Sequence, residues 1–81
     1  MLTITYFESL PLRYFLNKKF GERIRKLREK QKLTQEALAF EADLHRAYIG
    51  QIERGEKNIG LENIEKLDKA FKISPSKLLD F

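Results

Sequence analysis

The sequence predicts a compact all-α domain of five helices, preceded by a short N-terminal extension over residues 1–16. The chain has 81 residues and no cysteine, so it has room for a single core that is held together by packing alone. Apolar residues make up 42% and charged residues 35%, a balance typical of a folded domain. Apolar side chains also recur three and four positions apart, with helix caps and stop residues between the segments.

The first helix is predicted from an apolar stripe within a basic segment. Phe20, Ile24 and Leu27 stand four and three residues apart, with charged residues between them, as on one face of a helix. Earlier leucines extend the stripe back toward Pro11, which a helix tolerates only in its first turn. Residues 1–9 alternate apolar and polar side chains, which fits either a strand paired with a second chain or a tail.

Two short helices joined by a three-residue turn are predicted next. Thr34 is a good N-cap for residues 35–42, which are strong helix formers. Residues 43–45 interrupt the pattern with an aspartate, a residue that accepts left-handed backbone better than most. Helix resumes at Arg46 and stops before Gly55, because glycine is the commonest residue after a helix end.

Two further helices close the domain. Apolar residues from Leu61 to Phe71 stand three, three and four apart and predict a fourth helix of about eleven residues. Ser74 and Pro75 combine an N-cap with proline at the first helical position, and so open a last helix that carries Leu78, Leu79 and Phe81. The expected core residues are Phe20, Ile24, Leu27, Leu38, Leu44, Ile49, Ile52, Leu61, Ile64, Leu67 and Leu78.

The order of these elements is that of a helix-turn-helix over about residues 34–54, within a domain spanning residues 17–81. Residues 34–39 (Thr-Gln-Glu-Ala-Leu-Ala), followed by Leu44 and by residues 48–55, resemble the lambda-repressor-like (Cro/repressor, XRE-type) DNA-binding domains. Within that family, residues 44–59 look most like the controller proteins of restriction-modification systems. The resemblance implies a sequence-specific, autoregulatory transcriptional regulator.

Residues on the outer side of the third helix are predicted to read bases, because a short helix after a turn can enter the major groove. Its isoleucines face inward, which leaves outside Arg46, Ala47, Gly50 and Gln51. Arg46 can pair with guanine and Gln51 with adenine. Ala47 can touch a thymine methyl, and Gly50 lets the backbone come close. For Arg46 and Gln51, an ordinary exposed side chain is the alternative.

Phosphate contacts are expected at the edges of this motif. Gln35 starts the second helix, where its side chain and the helix N-terminus can both meet a phosphate oxygen, and the resemblance implies a contact there too. Further candidates beside or after the third helix are His45, Tyr48, Arg54, Lys57 and Asn58. Each is a polar surface residue in the simpler interpretation, and packing under its helix is the alternative for Tyr48.

The resemblance also implies a structural ion pair. Glu53 falls where the family places a carboxylate facing an arginine of the first helix, and the matching arginine here is Arg28. A partly buried pair of this kind fixes position more reliably than it adds stability.

A domain of this size has few base contacts, so a homodimer on a palindromic operator is expected. Apolar residues left over near the end of the chain form the candidate interface, which comprises Phe71, Ile73, Leu79 and Phe81. In the alternative interpretation these residues complete the monomer core.

The net charge of +4 is unevenly distributed. Residues 13–32 carry nine Lys or Arg against two Glu, whereas residues 33–81 carry seven against nine acidic residues. The basic block fits a polyanion, with double-stranded DNA as the expected partner, although a solvated helix face is the alternative. No membrane contact, cofactor or small-molecule ligand is expected, and a cysteine-free chain suits the cytoplasm.

The sequence contains no combination of residues that is typical of a catalytic site. His45 is the only histidine and cysteine is absent, so a metal site is not expected either. The functions that stay open beside a restriction-modification controller are an antitoxin, a phage-type repressor and a helical protein-interaction module.

Overall fold

The computed structural model describes residues 10–81, with side chains from residue 15 onward. This part of the chain contains five α-helices and no strand, which confirms the all-α prediction. The helices are α1 (Leu10–Lys30), α2 (Gln35–Ala42), α3 (Arg46–Glu53), α4 (Leu61–Phe71) and α5 (Pro75–Leu78). The interpretation of residues 1–9 as a strand or a tail lies outside the described residues.

Helix α1 is the longest element, with 21 residues. It starts at Leu10, one residue before the proline that was expected in its first turn, and it runs without a break past residue 16, where the extension was expected to end. None of the helices in the described part is long and apolar enough to cross a membrane.

Four of these helices end in the same backbone motif, and three of the ends lack glycine. After α1, α2 and α4, the left-handed position is occupied by Lys32, Asp43 and Lys72, with φ of 59°, 56° and 61°. After α3 it is occupied by Gly55, with φ of 77°. Each time, the next residue donates its N–H back to a carbonyl five residues earlier, as Leu44 does to Ala39 at 2.9 Å.

The turn between α2 and α3 therefore depends on backbone hydrogen bonds. The turn does not rely on the carboxylate of Asp43. Among the described residues, that carboxylate makes no hydrogen bond or ion pair, while the Asp43 carbonyl accepts a 3.5 Å hydrogen bond from Lys66. Leu44 follows and packs partly buried against the core, which fixes the direction in which α3 leaves the turn.

All five helices contribute buried side chains to one core. The expected core residues that are buried are Phe20, Ile24, Leu27, Leu38, Ile49, Ile52, Leu67 and Leu78. Leu44 and Ile64 pack against this cluster and are partly buried. Ala39, Ala42 and Phe71 are also buried and complete the core.

Two assignments on α4 are wrong. Leu61 was expected in the core, but it is 82% exposed because it begins the helix and points into an open apolar groove with Ile64 and Ile73. Phe71 was expected at a dimer interface, but it is 1% exposed because it lies one turn after Leu67 on the inward face. The alternative, that Phe71 completes the monomer core, is what the structure contains.

The last helix is shorter than predicted. Helix α5 ends at Leu78, so Leu79 caps it and Phe81 lies beyond it, both about half exposed. The ring of Phe81 packs against Phe20, with centroids 6.1 Å apart. Arg23 of α1 donates a 2.6 Å hydrogen bond to the carbonyl of Lys77, which ties α5 to the first helix.

Candidate nucleic-acid interface

Helices α2 and α3 form the helix-turn-helix, and their N-termini are capped differently. Thr34 Oγ1 accepts a 3.0 Å hydrogen bond from the N–H of Ala37, as expected of an N-cap. His45 precedes α3 in an extended conformation but provides no side-chain cap. The imidazole is exposed and so is left available to an outside partner.

The outer face of α3 presents three of the four predicted base-reading residues to solvent. Arg46 and Ala47 are exposed and Gln51 is partly exposed. Within the described part of the chain, the side chains of Arg46 and Gln51 have no hydrogen-bond partner, so their donors and acceptors face outward. This is the arrangement that direct reading of base edges requires.

Gly50 differs from its sequence-based placement on the outer side, because it is buried. A Cβ atom at this position would lie 3.2 Å from Nη1 of Arg54 and 3.8 Å from Oε1 of Gln35. The two long side chains therefore cover the glycine. Its lack of a side chain makes room for Arg54 and Gln35 in the unbound domain, and its backbone is not open to a ligand.

A buried carboxylate joins the helix-turn-helix to α1. Glu53, whose side chain is fully buried, accepts hydrogen bonds from Arg28 Nε at 2.6 Å and Arg28 Nη2 at 3.2 Å. This is the pair that the family resemblance implied, and 14% of the Arg28 side chain is exposed. Oε1 of Glu53, which accepts the bond from Arg28 Nη2, also lies 3.5 Å from Nε of Arg25 and accepts a 3.1 Å hydrogen bond from Nε2 of Gln35.

Electrostatics keep this carboxylate ionised. Burial acts to raise the pKa of Glu53, but the hydrogen bonds from Arg28 and Gln35 and the charges of Arg28 and Arg25 outweigh it, so the pKa is lowered. The hydrogen bond with Glu53 in turn raises the pKa of Arg28. The cluster is a charged anchor between α1, α2 and α3.

Gln35, expected to contact phosphate, belongs to this anchor in the unbound domain. It is the first residue of α2 and is partly exposed, with its amide held by Glu53 at 3.1 Å. One N–H of the amide is used in that bond, which leaves the other for a partner.

Tyr48 packs under its helix, the alternative weighed from the sequence. Its ring is partly buried against the core, and its hydroxyl accepts a 3.0 Å hydrogen bond from Nδ2 of Asn63. Asn63 lies on α4 among charged residues, and no pattern in the sequence distinguishes it as a partner of Tyr48.

The loop after α3 holds the remaining candidates. Arg54 forms a two-pronged ion pair with Glu56, at 2.8 Å and 3.1 Å, and both side chains are about half exposed. The hydrogen bond raises the pKa of Arg54 and lowers the pKa of Glu56. Lys57 and Asn58 are exposed beside this pair.

Comparison with known proteins agrees with this arrangement. The helix-turn-helix family HTH_3 matches residues 24–78. Control protein C.BamHI of Bacillus amyloliquefaciens is 54% identical over 63 residues, covering 76% of this chain and 78% of that protein. Control protein C.MunI of a Mycoplasma species is 43% identical over 61 residues, covering 74% and 82%.

A solved structure of a controller protein is also similar to this chain. The restriction-modification controller protein C.AhdI from Aeromonas hydrophila superposes with a TM-score of 0.75 at 48% identity, covering 76% of this chain and 94% of that one. The segment that the family model matches, residues 24–78, includes α2, the turn and α3, with the exposed outer face of α3 and the buried anchor. The chain therefore belongs to the HTH_3 helix-turn-helix family and is a DNA-binding transcriptional regulator.

Proposed function

We propose that this regulator binds a palindromic operator as a homodimer and controls a restriction-modification system together with its own gene. The observation that carries the proposal concerns α3, the helix anchored by Glu53: the exposed Arg46 and the partly exposed Gln51 have no side-chain hydrogen-bond partner among the described residues. The names of the relatives, which are control proteins, support the restriction-modification role. The proposal requires no cofactor, small-molecule ligand or catalytic step, and it places the protein in the cytoplasm with its operator.

The roles divide between bases and backbone. Arg46, Ala47 and Gln51 read base edges in the major groove. Backbone contacts come from Gln35, His45, Tyr48, Arg54, Lys57 and Asn58. Arg54 can donate to phosphate from Nη1 while it keeps its bond with Glu56, because that bond uses Nε and Nη2.

Replacing Arg46 with alanine is expected to relax sequence preference, whereas replacing Lys57 with alanine weakens binding to all sequences about equally. A base pair read by two hydrogen bonds discriminates by about 1–3 kcal/mol, whereas a phosphate contact carries no sequence information. Selection of duplexes from a random pool, followed by Kd measurements on single-base variants, distinguishes the two. Equal losses on every variant for Arg46→Ala would remove this residue from base reading.

The proposed dimer uses the apolar groove of α4. Leu61 is 82% exposed beside Ile64, Ile73 and Pro75, which together line an apolar surface at the edge of the domain. Ile73 belongs to the interface expected from the sequence. The rest of this groove is lined by the charged residues Glu62, Glu65, Asp68 and Lys69. An exposed apolar patch with a polar rim is typical of a protein contact.

Changing Leu61 to glutamate is therefore expected to give a folded monomer, because a charge cannot be buried at low cost in an apolar interface. Phe40, 84% exposed on α2, offers a matched control, and Phe40→Glu should remain dimeric. Sedimentation equilibrium measures both. A dimeric Leu61→Glu protein would instead assign the interface to Leu79 and Phe81.

A further inference from the structure

We propose that Arg25 of α1 and Gln35 of α2 together grip one phosphate of the DNA backbone, with the Glu53 carboxylate as the positioning residue that aligns them. The inference rests on the proposed DNA-binding function and extends it to a residue outside the helix-turn-helix. Neither the sequence motif nor the ion pair of Arg28 and Glu53 assigns a role to Arg25.

The geometry depends on one atom. Glu53 Oε1 lies 3.1 Å from Nε2 of Gln35 and 3.5 Å from Nε of Arg25. The two nitrogens therefore cannot be farther apart than these two distances together. A phosphate that accepts charge-assisted hydrogen bonds of about 2.8 Å can reach donors at such a separation with two of its oxygens.

The charges leave Arg25 available. Arg28 is almost buried and already neutralises Glu53 through two hydrogen bonds, so the positive charge of Arg25 is in excess in this cluster. The Arg25 side chain is 52% exposed, and its only ion pair in the described part of the chain is the 3.5 Å approach of its Nε. Its terminal amino groups have no hydrogen-bond partner among the described residues, and they can donate to an anion.

The surroundings also fit a nucleic-acid backbone. Gln35 lies against Gly50 of α3. A phosphate bound to Gln35 would therefore lie at the edge of the DNA major groove that α3 enters. Arg25 lines an open groove of about 690 Å³ between α1 and the loop after α3. Lys18 and Arg54 line the same groove, together with the carboxylates of Glu22, Glu53 and Glu56. The charge of Arg54 offsets that of Glu56.

Lys26 provides the matched control. It is the next residue of α1, exposed and of the same charge, but it lines a different groove together with Asp80 and Phe81. The proposal therefore separates two neighbouring cations that sequence alone treats as equivalent.

The experiment measures binding of wild type, Arg25→Gln and Lys26→Gln to a selected operator and to a random duplex of about 30 base pairs, three helical turns. Salt is varied, because each phosphate neutralised contributes about 0.9 to the slope of log K against log salt. For Arg25→Gln we expect the slope to shrink by about 0.9 per protomer on both duplexes, with a roughly tenfold loss of affinity for each contact. For Lys26→Gln we expect the slope of the wild type.

Two further variants test the shared phosphate. Arg25→Lys keeps the charge and should keep the slope, but it should lose part of the affinity because lysine lacks the planar fork. Adding Gln35→Ala to Arg25→Gln should cost less than the two separate losses combined, because both side chains contact one phosphate. Thermal melting should change little for Arg25→Gln, since an exposed ion pair contributes little stability.

Equal slopes for Arg25→Gln and Lys26→Gln would overturn the proposal, and so would additive losses in the double variant. If wild type itself binds neither duplex in a salt-dependent way, the proposed function fails, and that outcome is distinct from a failure of the Arg25 contact alone.

Discussion

Replacing Gly21 with alanine is expected to destabilise the domain by about 3 kcal/mol or more, because an added Cβ meets the backbone of another helix. That Cβ would lie 2.7 Å from the carbonyl oxygen of Glu53 and 2.9 Å from its carbonyl carbon, with the carbonyl oxygen of Ile52 closer still. Main-chain atoms cannot rotate away as a side chain does, so α1 and α3 must move apart. Alanine is the better helix former by about 1 kcal/mol, but the contact outweighs that gain.

The matched control is Gly60→Ala, since no atom of the described residues lies within 4 Å of a Cβ at Gly60. Thermal melting followed by circular dichroism should show a drop of more than about 12 °C for Gly21→Ala, since 1 kcal/mol corresponds to about 4–8 °C in a domain of this size. Gly60→Ala should change by a few degrees at most. A Gly21→Ala protein that melts like the wild type would mean that α1 and α3 are not in close contact.

The role of Gly21 illustrates which part of the fold can be predicted from sequence. Helix positions follow from local signals, such as the cap at Thr34 and the stop at Gly55, and these were predicted correctly. A glycine inside a helix indicates only that another part of the chain can pack closely against it. Which helix packs there depends on the tertiary arrangement and cannot be predicted from the sequence. The wrong assignments of Leu61 to the core and Phe71 to a dimer interface have the same cause. Helical spacing identifies the inward face of α4, but it does not show which end of that face the rest of the chain covers.

Only part of the candidate site could be predicted from the sequence. The pair of Arg28 and Glu53 was implied by the family resemblance, and Arg46, Ala47 and Gln51 could be placed outward from helical spacing. Partners of long surface side chains could not be predicted, because they depend on how helices cross.

Three contacts of that kind appear only in the structure. Arg25 approaches Glu53, Glu56 holds Arg54, and Asn63 donates to Tyr48. Each joins side chains whose proximity is set by the packing of helices or by the shape of a loop. The cover over Gly50 arises in the same way, from two long side chains that meet above it.

Changing Glu53 to alanine is expected to lower stability by about 3–5 kcal/mol and to weaken DNA binding at the same time. The substitution leaves the nearly buried guanidinium of Arg28 without its carboxylate and frees Gln35 from its 3.1 Å hydrogen bond. Chemical denaturation measures the first effect and operator Kd the second. An unchanged melting temperature would contradict a structural role for the pair.

A double substitution separates the two effects. Replacing Arg28 with methionine and Glu53 with leucine removes both charges and keeps side-chain volume, and such exchanges are often neutral or stabilising for a buried pair. Stability should recover, while DNA affinity should stay low because Gln35 and Arg25 have lost the oxygen that aligns them. Recovery of both would assign Glu53 a purely structural role.

The pH dependence provides an independent check on the same carboxylate. The pKa of Glu53 is lowered in the folded state, so its contribution to stability is fully present above the unfolded-state value of about 4.3 and is lost as the pH falls below it. Glu53→Gln cannot ionise at this position and should show a flatter loss of stability than wild type when denaturation is measured from pH 6 down to about pH 3. Glu56→Gln is the control. Its carboxylate also has a lowered pKa, but it is half exposed, so solvent screens its pairing and the acid profile should stay close to that of the wild type.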